Sequence, residues 1–195
     1  MKRSALVISL CSIALLGQYS SLAQAFGPGD NIIGLGLGVG GSYNAYGSYN
    51  GVSPLITAHF EHGLGLKAGP GTIGAGAFIG YKTAHYRSDL YYPYYLDYRW
   101  TYVQFGARAS YHWNDWHGIE QLDTYAGVLA GVSIRIESDN SYYPGYSNYL
   151  GPRTHHPFRH DVFAGARWYF SDSFAAYAEL GYGLSNLCGG LSFKF

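Results

Sequence analysis

Residues 101–111 read TYVQFGARASY, and their side chains alternate between two kinds. One kind is mostly apolar, and the other is glycine, polar or charged. A period of two is typical of a β-strand, because successive side chains of a strand point to opposite faces of the sheet. The apolar face of this strand carries Val103, Phe105, Ala107, Ala109 and Tyr111.

The same alternation recurs on both sides of this segment. It is found in residues 33–40, 56–61, 73–82, 125–137, 161–170, 174–185 and 191–195. The strands average about ten residues, which is the length that crosses a bilayer when a strand is tilted. An even number of strands is typical of single-chain barrels in bacterial outer membranes. We therefore predict an all-β protein that forms an eight-stranded antiparallel up-and-down transmembrane β-barrel.

The composition excludes the main alternatives to a barrel. Charged residues make up only 12% of the chain, about half the usual share of a soluble domain. The 28 glycines and 21 tyrosines argue against a helix bundle. The mean hydropathy is −0.07, and no long apolar run lies beyond the N-terminus, so helical membrane spans are not expected. Twelve basic and twelve acidic residues balance, which argues against a nucleic-acid partner.

The first residues have the features of a targeting segment. Lys2 and Arg3 precede an apolar run from residue 5 to residue 16, and Ala-Gln-Ala at residues 23–25 fits a cleavage site. We expect residues 1–25 to be a cleaved signal peptide and residues 26–195 to be the barrel domain. Cleavage would leave Cys188 as the sole cysteine, so the barrel is not expected to rely on a disulfide.

The glycine-bearing face of the strands also carries the charges, which suggests that this face lines a narrow lumen while the apolar face meets lipid. An eight-stranded barrel has an interior that side chains can fill, and buried charges there need partners. We predict that these charges form a plugging network, with a narrow or gated ion path as the alternative. The predicted interior charges are Glu61, Lys82, Arg108, Arg135, Glu137, Asp161, Arg167, Glu179 and Lys194.

The connections between strands differ in length. Long ones are predicted at residues 41–51, 84–97 and 138–157, and shorter ones at residues 63–71, 114–122 and 171–173. Long outer loops and short periplasmic turns are typical of outer-membrane barrels. Tyrosine gives binding loops a large contact area at a low cost in entropy. The candidate surface-binding tyrosines are Tyr43, Tyr46, Tyr49, Tyr91, Tyr92, Tyr94, Tyr95, Tyr142, Tyr143, Tyr146 and Tyr149.

Aromatic residues also gather at the predicted strand ends, where they would form girdles at the membrane interfaces. The predicted girdle residues are Trp100, Trp113, Trp116, Trp168 and Phe170.

Several segments resemble the small outer-membrane β-barrel family of Gram-negative bacteria, the OmpA/OmpX-like, porin-family superfamily. They are residues 53–63, 71–76, 125–131, 178–183 and 190–195, and the likeness extends over the mature chain. The sharpest feature is the terminal Phe195 on an alternating last strand, which resembles the signal read by the barrel-assembly machinery. The resemblance implies a closed cylinder with internal salt bridges. Many activities occur on this one fold, so it does not define the activity.

No cofactor, metal or catalytic site is predicted. Gly36, Gly38 and Gly41 match a dinucleotide-binding pattern, but they extend a strand and no helix follows them. The loop histidines His85, His155, His156 and His160 are not spaced like converging metal ligands. Some eight-stranded barrels are lipid A-modifying enzymes, and one such family has a His-x-Ser pair. In this sequence the residue two positions after His160 is Val162 and not serine. No Ser–His–acid set is expected on one face near a rim.

The sequence therefore predicts a non-enzymatic barrel of the bacterial outer membrane, with loops exposed at the cell surface. Its role would be structural in the envelope, or it would bind or adhere through the tyrosine-rich loops. A small porin-like channel is the alternative, and a lipid A-modifying enzyme is the third hypothesis. The expected partners are outer-membrane lipid, lipopolysaccharide, the barrel-assembly machinery and an extracellular ligand.

Overall fold

The computed structural model describes residues 25–41, 51–142, 152–183 and 185–195. The predicted signal peptide lies almost wholly outside these ranges and stays a prediction. The described residues form ten strands: β1 (Asn31–Val39), β2 (Gly51–Val52), β3 (Leu55–Ala68), β4 (Gly71–Tyr91), β5 (Tyr94–His112), β6 (Leu122–Asp139), β7 (Arg153–His155), β8 (Phe158–Tyr169), β9 (Phe174–Tyr182) and β10 (Leu187–Lys194). In the same ranges, no helix has the length and apolar character needed to cross a membrane.

Eight of the strands close into a ring, and β2 and β7 are short additions to it. The order around the wall is β1, β3, β4, β5, β6, β8, β9 and β10, and β10 pairs with β1 again. All of these pairings are antiparallel. Each wall strand thus has two neighbours, as a sheet in lipid requires. The prediction of an eight-stranded antiparallel barrel is confirmed.

The two faces of the wall have opposite character. In β1 and β10, Leu35 lies opposite Leu191, and both are more than 60% exposed. On the inner face Gly76 lies opposite Glu61, and a side chain there would overlap the carbonyl group of Phe60. The glycines of the inner face thus let the wall coil tightly around a lumen. Apolar side chains are turned outward, as lipid contact requires.

The outward apolar side chains form a band of defined height. On β4 they run from Ile73 to Tyr81, and the next outward residues are Thr83 and His85. This stretch is roughly 27 Å long along the strand, which gives a band about 20 Å tall after a tilt of about 40°. That height fits the apolar core of an outer membrane, and the barrel is therefore transmembrane.

The two ends of the barrel differ. The lower end, as we name it, holds residues 26–31, Phe195 and the connections at residues 69–70, 113–121 and 170–173. At the upper end β4, β5 and β6 continue beyond the apolar band. The predicted loop at residues 84–97 is wrong, because β4 runs to Tyr91 and β5 begins at Tyr94. The predicted connection at residues 63–71 is also mostly strand, since β3 extends to Ala68.

The alternation of apolar and polar residues stops at the membrane boundary, but the hydrogen-bonded pairing does not. Register between β4 and β5 continues from Lys82 opposite Tyr102 to Asp89 opposite Tyr95. Outside lipid, both faces of a strand can be polar, so the periodicity marked the membrane boundary rather than the end of the strand.

The part of β4 and β5 above the apolar band, from Lys82 to Tyr102, is called the upper hairpin. It contains a small aromatic core on its inner face. Ala84, Trp100 and Tyr102 are buried together, with Tyr86 and Tyr98 packed against them. The prediction that Trp100 belongs to a girdle is wrong, because Trp100 shares the inward face with Tyr102 and is only 7% exposed. The other predicted girdle residues are exposed near the lower end, namely Trp113, Trp116, Trp168 and Phe170.

The closed wall leads to a test of the architecture. Unboiled protein in sodium dodecyl sulfate should migrate differently from boiled protein, because a ring without edges resists unfolding by detergent. Gel mobility before and after boiling measures this, with circular dichroism as the control for β-structure. Identical mobility together with a weak β signal would contradict the closed barrel.

Candidate functional site

A cluster of buried polar side chains fills the lower half of the lumen. Its members come from five strands, and each side chain points into the lumen. We call this cluster the lumen network: Glu61 from β3, Arg108, Ser110 and His112 from β5, Asp123 and Tyr125 from β6, Arg167 from β8, and Glu179 from β9. The predicted interior charges Glu61, Arg108, Arg167 and Glu179 thus come together, although their strands are spread around the wall.

Arg167 is the most enclosed cation of the lumen network. Its guanidinium group donates to Asp123 Oδ2 at 2.8 Å and to Glu61 Oε2 at 3.5 Å. All three side chains are fully buried. The guanidinium carbon lies 4.9 Å from the centre of the Tyr125 ring. A planar guanidinium group suits such a site because its donors can serve two carboxylates while its face stacks on a ring.

Arg108 forms the second ion pair, one layer higher. Its Nη2 donates to Glu179 Oε1 at 2.6 Å and its Nη1 donates to Glu179 Oε2 at 3.4 Å, in a bidentate arrangement. The Tyr125 hydroxyl donates to the same carboxylate at 2.9 Å. Arg108 also lies 3.8 Å from Glu61, so Glu61 links the two layers. Charge-assisted bidentate pairs are among the stronger polar contacts in proteins.

His112 lies between two carboxylates. Its Nδ1 is 2.8 Å from Asp123 Oδ1, and its Nε2 is 3.1 Å from Glu61 Oε1. A neutral imidazole donates a hydrogen bond from only one nitrogen. His112 therefore donates to both carboxylates when both of its nitrogens carry a proton. His112 then balances the third carboxylate of the network, alongside the two arginines.

The structure also brings together Ser110, His112 and Asp123, although no Ser–His–acid set was predicted near a rim. Ser110 Oγ lies 3.0 Å from His112 Nε2, and His112 in turn contacts Asp123. However, the Ser110 hydroxyl donates to Glu61, which also occupies the same imidazole nitrogen. A nucleophilic serine needs an imidazole free to accept its proton. We interpret this set as part of the structural network.

The chain segment before β1 closes the lumen from below. Phe26 is buried, and its ring centre lies 4.1 Å from that of His112. Gly29 N donates to the Gly63 carbonyl at 2.8 Å, and Gly63 N donates to the Asp30 carbonyl at 2.9 Å. Residues 26–30 thus form a plug that is hydrogen-bonded to β3.

The other predicted interior charges lie apart from the lumen network. Lys82 donates to the Gly40 carbonyl at 2.6 Å near the upper opening, and Asp161 accepts from Gln104 at 3.4 Å. Lys194 lies at the lower end, 3.7 Å from Asp30. Arg135 and Glu137 are partly exposed on the upper part of β6.

A cavity of about 60 Å³ lies in the lumen above the Arg108–Glu179 pair. His59, Asp161 and Cys188 line it together with that pair. The volume holds a few water molecules, and the polar lining suits them.

Sequence reasoning missed three central members of the lumen network: Ser110, His112 and Asp123. Ser110 and His112 follow Arg108 at intervals of two, so the inward periodicity of β5 contained the signal. Asp123 was overlooked because β6 begins at Leu122, whereas the apolar alternation becomes clear only at Tyr125. Among the described residues, no group of three histidine, cysteine, aspartate or glutamate side chains is placed to hold a metal ion.

The upper hairpin ends in a group of tyrosines. Tyr92 at the turn is 98% exposed. Tyr95 and Tyr142 exchange two backbone hydrogen bonds of 3.0 and 2.9 Å, and the ring of Tyr142 lies 6.2 Å from that of Tyr94. Arg87 stacks on the Tyr95 ring at 4.9 Å. We call Tyr92, Tyr94, Tyr95 and Tyr142 the hairpin tip.

The remaining predicted binding tyrosines are Tyr91 and six residues that the structure does not describe. Tyr91 ends β4 and pairs with Tyr94 of the tip. The prediction that Tyr91, Tyr94 and Tyr95 lie in a loop is wrong, because Tyr94 and Tyr95 are the first residues of β5. Six tyrosines lie outside the described residues: Tyr43, Tyr46, Tyr49, Tyr143, Tyr146 and Tyr149.

The terminal residue is paired into the wall. Phe195 N donates to the Asn31 carbonyl at 2.9 Å, and Asn31 N donates to the Phe195 carbonyl at 3.1 Å. The Phe195 ring is 58% exposed on the lipid side and stacks on Phe193 at 5.9 Å. Its predicted role as an assembly signal stays a prediction.

Several solved structures share the fold. The N-terminal β-barrel domain of OprF from Pseudomonas aeruginosa matches with 16% identity over 87% of this chain and 100% of that chain, at a TM-score of 0.46. Ail, the attachment invasion locus protein of Yersinia pestis, in complex with the heparin analogue sucrose octasulfate, matches with 13% identity over 86% and 99% of the two chains, at a TM-score of 0.44.

The fold is that of the small eight-stranded outer-membrane barrels. This conclusion rests on the closed ring and the apolar band of the chain itself. No family model matches the chain, and a search of curated protein sequences finds no match. The likenesses to solved structures therefore concern the fold alone.

Proposed function

We propose that the protein is a non-enzymatic outer-membrane barrel that presents the hairpin tip at the cell surface for binding. The observation that carries this proposal is the extension of β4 and β5 beyond the apolar band, which ends in the fully exposed Tyr92. The part of β4 from Lys82 to Tyr91 extends roughly 30 Å along the strand axis beyond the apolar band. The lower end, with its short turns, then faces the periplasm.

The hairpin is built to hold its tip in place. Its inner face is held by the aromatic core around Trp100, and Tyr98 stacks on Trp100 at 5.9 Å. On its other side β5 pairs with β6 as far as Tyr98 opposite Asp139. A binding site on a rigid strand pair loses less conformational entropy on binding than one on a loose loop.

The tip has the chemistry of an adaptable contact surface. Tyrosine combines a large apolar ring with a hydroxyl group that donates and accepts hydrogen bonds. Because its side chain has only two torsions, fixing it on binding costs little conformational entropy. Tyrosine and arginine are also frequent among the residues that dominate binding energy. Arg87 at 52% side-chain exposure adds a cation next to Tyr95.

The tip can be tested by a substitution that keeps the hairpin. Tyr91 pairs with Tyr94, so residues 92 and 93 form a two-residue connection. Replacing Tyr92 with Asn and Pro93 with Gly removes the exposed ring and supplies a favoured hairpin turn. Purified protein in nanodiscs is passed over immobilised extracellular-matrix proteins and polysaccharides. We expect the wild type to be retained on one of these surfaces and the variant to bind about tenfold or more weakly.

The matched control is Ile119→Asn, which removes an exposed apolar side chain from a turn at the opposite end of the barrel. This variant should bind like the wild type. No retention of the wild type on any surface, or equal retention of the tip variant, would overturn the proposal.

A narrow channel is the second candidate, because the cavity of about 60 Å³ occupies part of the upper lumen. The buried lumen network and Phe26 below it argue for a sealed barrel instead. Planar-bilayer recordings separate the two functions, since a sealed barrel gives no steady single-channel current.

A further inference from the structure

The ring of Tyr142 is close to two other tyrosine rings of the hairpin tip. Its centre lies 6.2 Å from that of Tyr94 and 6.2 Å from that of Tyr95, with angles of 31° and 34° between the ring planes. Aromatic rings are in contact when their centres are about 4.5–7 Å apart. Tyr142 is 51% exposed, and Tyr94 and Tyr95 are half-buried. The three phenol groups are therefore close together and open to reagents in solution.

Backbone hydrogen bonds hold this arrangement, because the chain continues alongside β5 after β6 ends. Asn140 N donates to the Asp97 carbonyl at 2.8 Å, and Asp97 N donates to Ser141 Oγ at 2.9 Å. The two backbone hydrogen bonds between Tyr95 and Tyr142 complete the connection. Since the rings are already neighbours, a reaction between them does not wait for a chance encounter of two loops.

We propose that Tyr142 and Tyr94 form a site of oxidative modification, at which a dityrosine cross-link joins the chain after β6 to the first residue of β5. Tyr94 is the preferred partner because Arg87 stacks on one face of the Tyr95 ring at 4.9 Å. A cation over a ring makes the removal of an electron from that ring more costly. The cross-link does not depend on ligand binding by the hairpin tip.

The oxidant is hydrogen peroxide, used by a haem peroxidase. Each phenol loses one electron and one proton and becomes a tyrosyl radical. The two radicals form one carbon–carbon bond between ring carbons next to the hydroxyl groups, and a proton shift on each ring restores aromaticity. The two electrons and two protons that leave the phenols reduce one hydrogen peroxide to two water molecules.

Other tyrosines are poorer sites for this reaction. Among the rings that the structure describes, Tyr86 and Tyr98 are also close, with centres 6.5 Å apart. They pack against the buried aromatic core of the upper hairpin, which shields them from the enzyme. Tyr81 and Tyr182 are 45% and 68% exposed, but they belong to the outer wall, where lipid surrounds them. The hairpin tip combines ring contact with access from solution.

Oxidation of the full chain in nanodiscs tests the site. One barrel per disc excludes links between barrels, and the reagents are a haem peroxidase and hydrogen peroxide. Peptide mass spectrometry identifies the linked residues, and dityrosine fluorescence measures the total yield. We expect the Tyr94–Tyr142 link to exceed any link that involves Tyr182 by about tenfold, because rings held in contact couple without a conformational search.

Tyr142→Phe removes one phenol group and keeps the ring and its backbone hydrogen bonds. It should lower the dityrosine fluorescence at least about threefold, because the best-placed pair is lost. Tyr94→Phe should move the link to Tyr95 at a lower yield. The matched control is Tyr182→Phe, which removes an exposed phenol group from the outer wall and should leave the yield unchanged. Gel mobility before and after boiling confirms that each variant is folded.

Three outcomes would overturn the proposal. The first is the absence of any link to Tyr142, and the second is an even distribution of links among the exposed tyrosines. The third is dityrosine fluorescence that Tyr142→Phe leaves unchanged. Retention of the protein on surface ligands would be unaffected by any of these results, so the two proposals fail separately.

Discussion

Replacing Arg167 with methionine is expected to lower the free energy of unfolding by about 3–5 kcal/mol, because it removes one of the cations that balance the buried carboxylates of Asp123 and Glu61. Both carboxylates are fully buried, and the Arg167–Asp123 contact is 2.8 Å. Methionine keeps much of the volume of the side chain, so the loss reports on charge rather than on a cavity. Urea unfolding in detergent micelles, followed by tryptophan fluorescence, measures the change.

The same strand supplies a matched control. Arg159 on β8 is partly exposed at the upper end, and Arg159→Met should cost less than about 1 kcal/mol. A second comparison adds Asp123→Asn to Arg167→Met, which removes a charge of each sign and should recover part of the loss. If Arg167→Met and Arg159→Met cost the same, the lumen network is a solvated lining, and a channel becomes the better function.

The sequence predicted the wall far better than the lumen. Strand number, pairing and the direction of Leu35 or Val128 follow from local alternation, because every residue of a strand in a barrel faces either lipid or lumen. Contacts such as Arg108 with Glu179 depend on which strands face each other across the barrel. Local periodicity carries no information about such distances, and only the shear of the closed ring determines them.

The errors have a common physical origin. The sequence predicts a loop from Ala84 to Asp97 because the segment is rich in tyrosine and contains proline, yet it continues as paired strands above the membrane. Trp100 was assigned to a lipid-facing girdle by its residue type, although the spacing from Val103 places it on the inner face. In both cases the residue type indicates the wrong environment. Asp123 was missed for a related reason, since a strand end carries too few residues to show a period.

Placing arginine at Val128 should destabilise the folded barrel by about 2–4 kcal/mol, if the outward face of β6 lies in the apolar core of the membrane. Val128 is 51% exposed on the outer surface, with the outward residues Ala109 and Val162 opposite it on β5 and β8. An arginine there has only hydrocarbon around it and must bend a long way to reach water. Reversible unfolding in phospholipid vesicles is the appropriate measurement, because a micelle is a thinner and wetter environment.

Ser138→Arg is the matched control for this prediction. Ser138 has the same outward orientation on the same strand, but it lies above the apolar band, where arginine should cost about 0–1 kcal/mol. The difference between the two variants therefore measures depth in the membrane and not the general effect of a large side chain. Equal costs at the two positions would show that the band is not in lipid. The apolar outer surface would then need a protein partner to cover it.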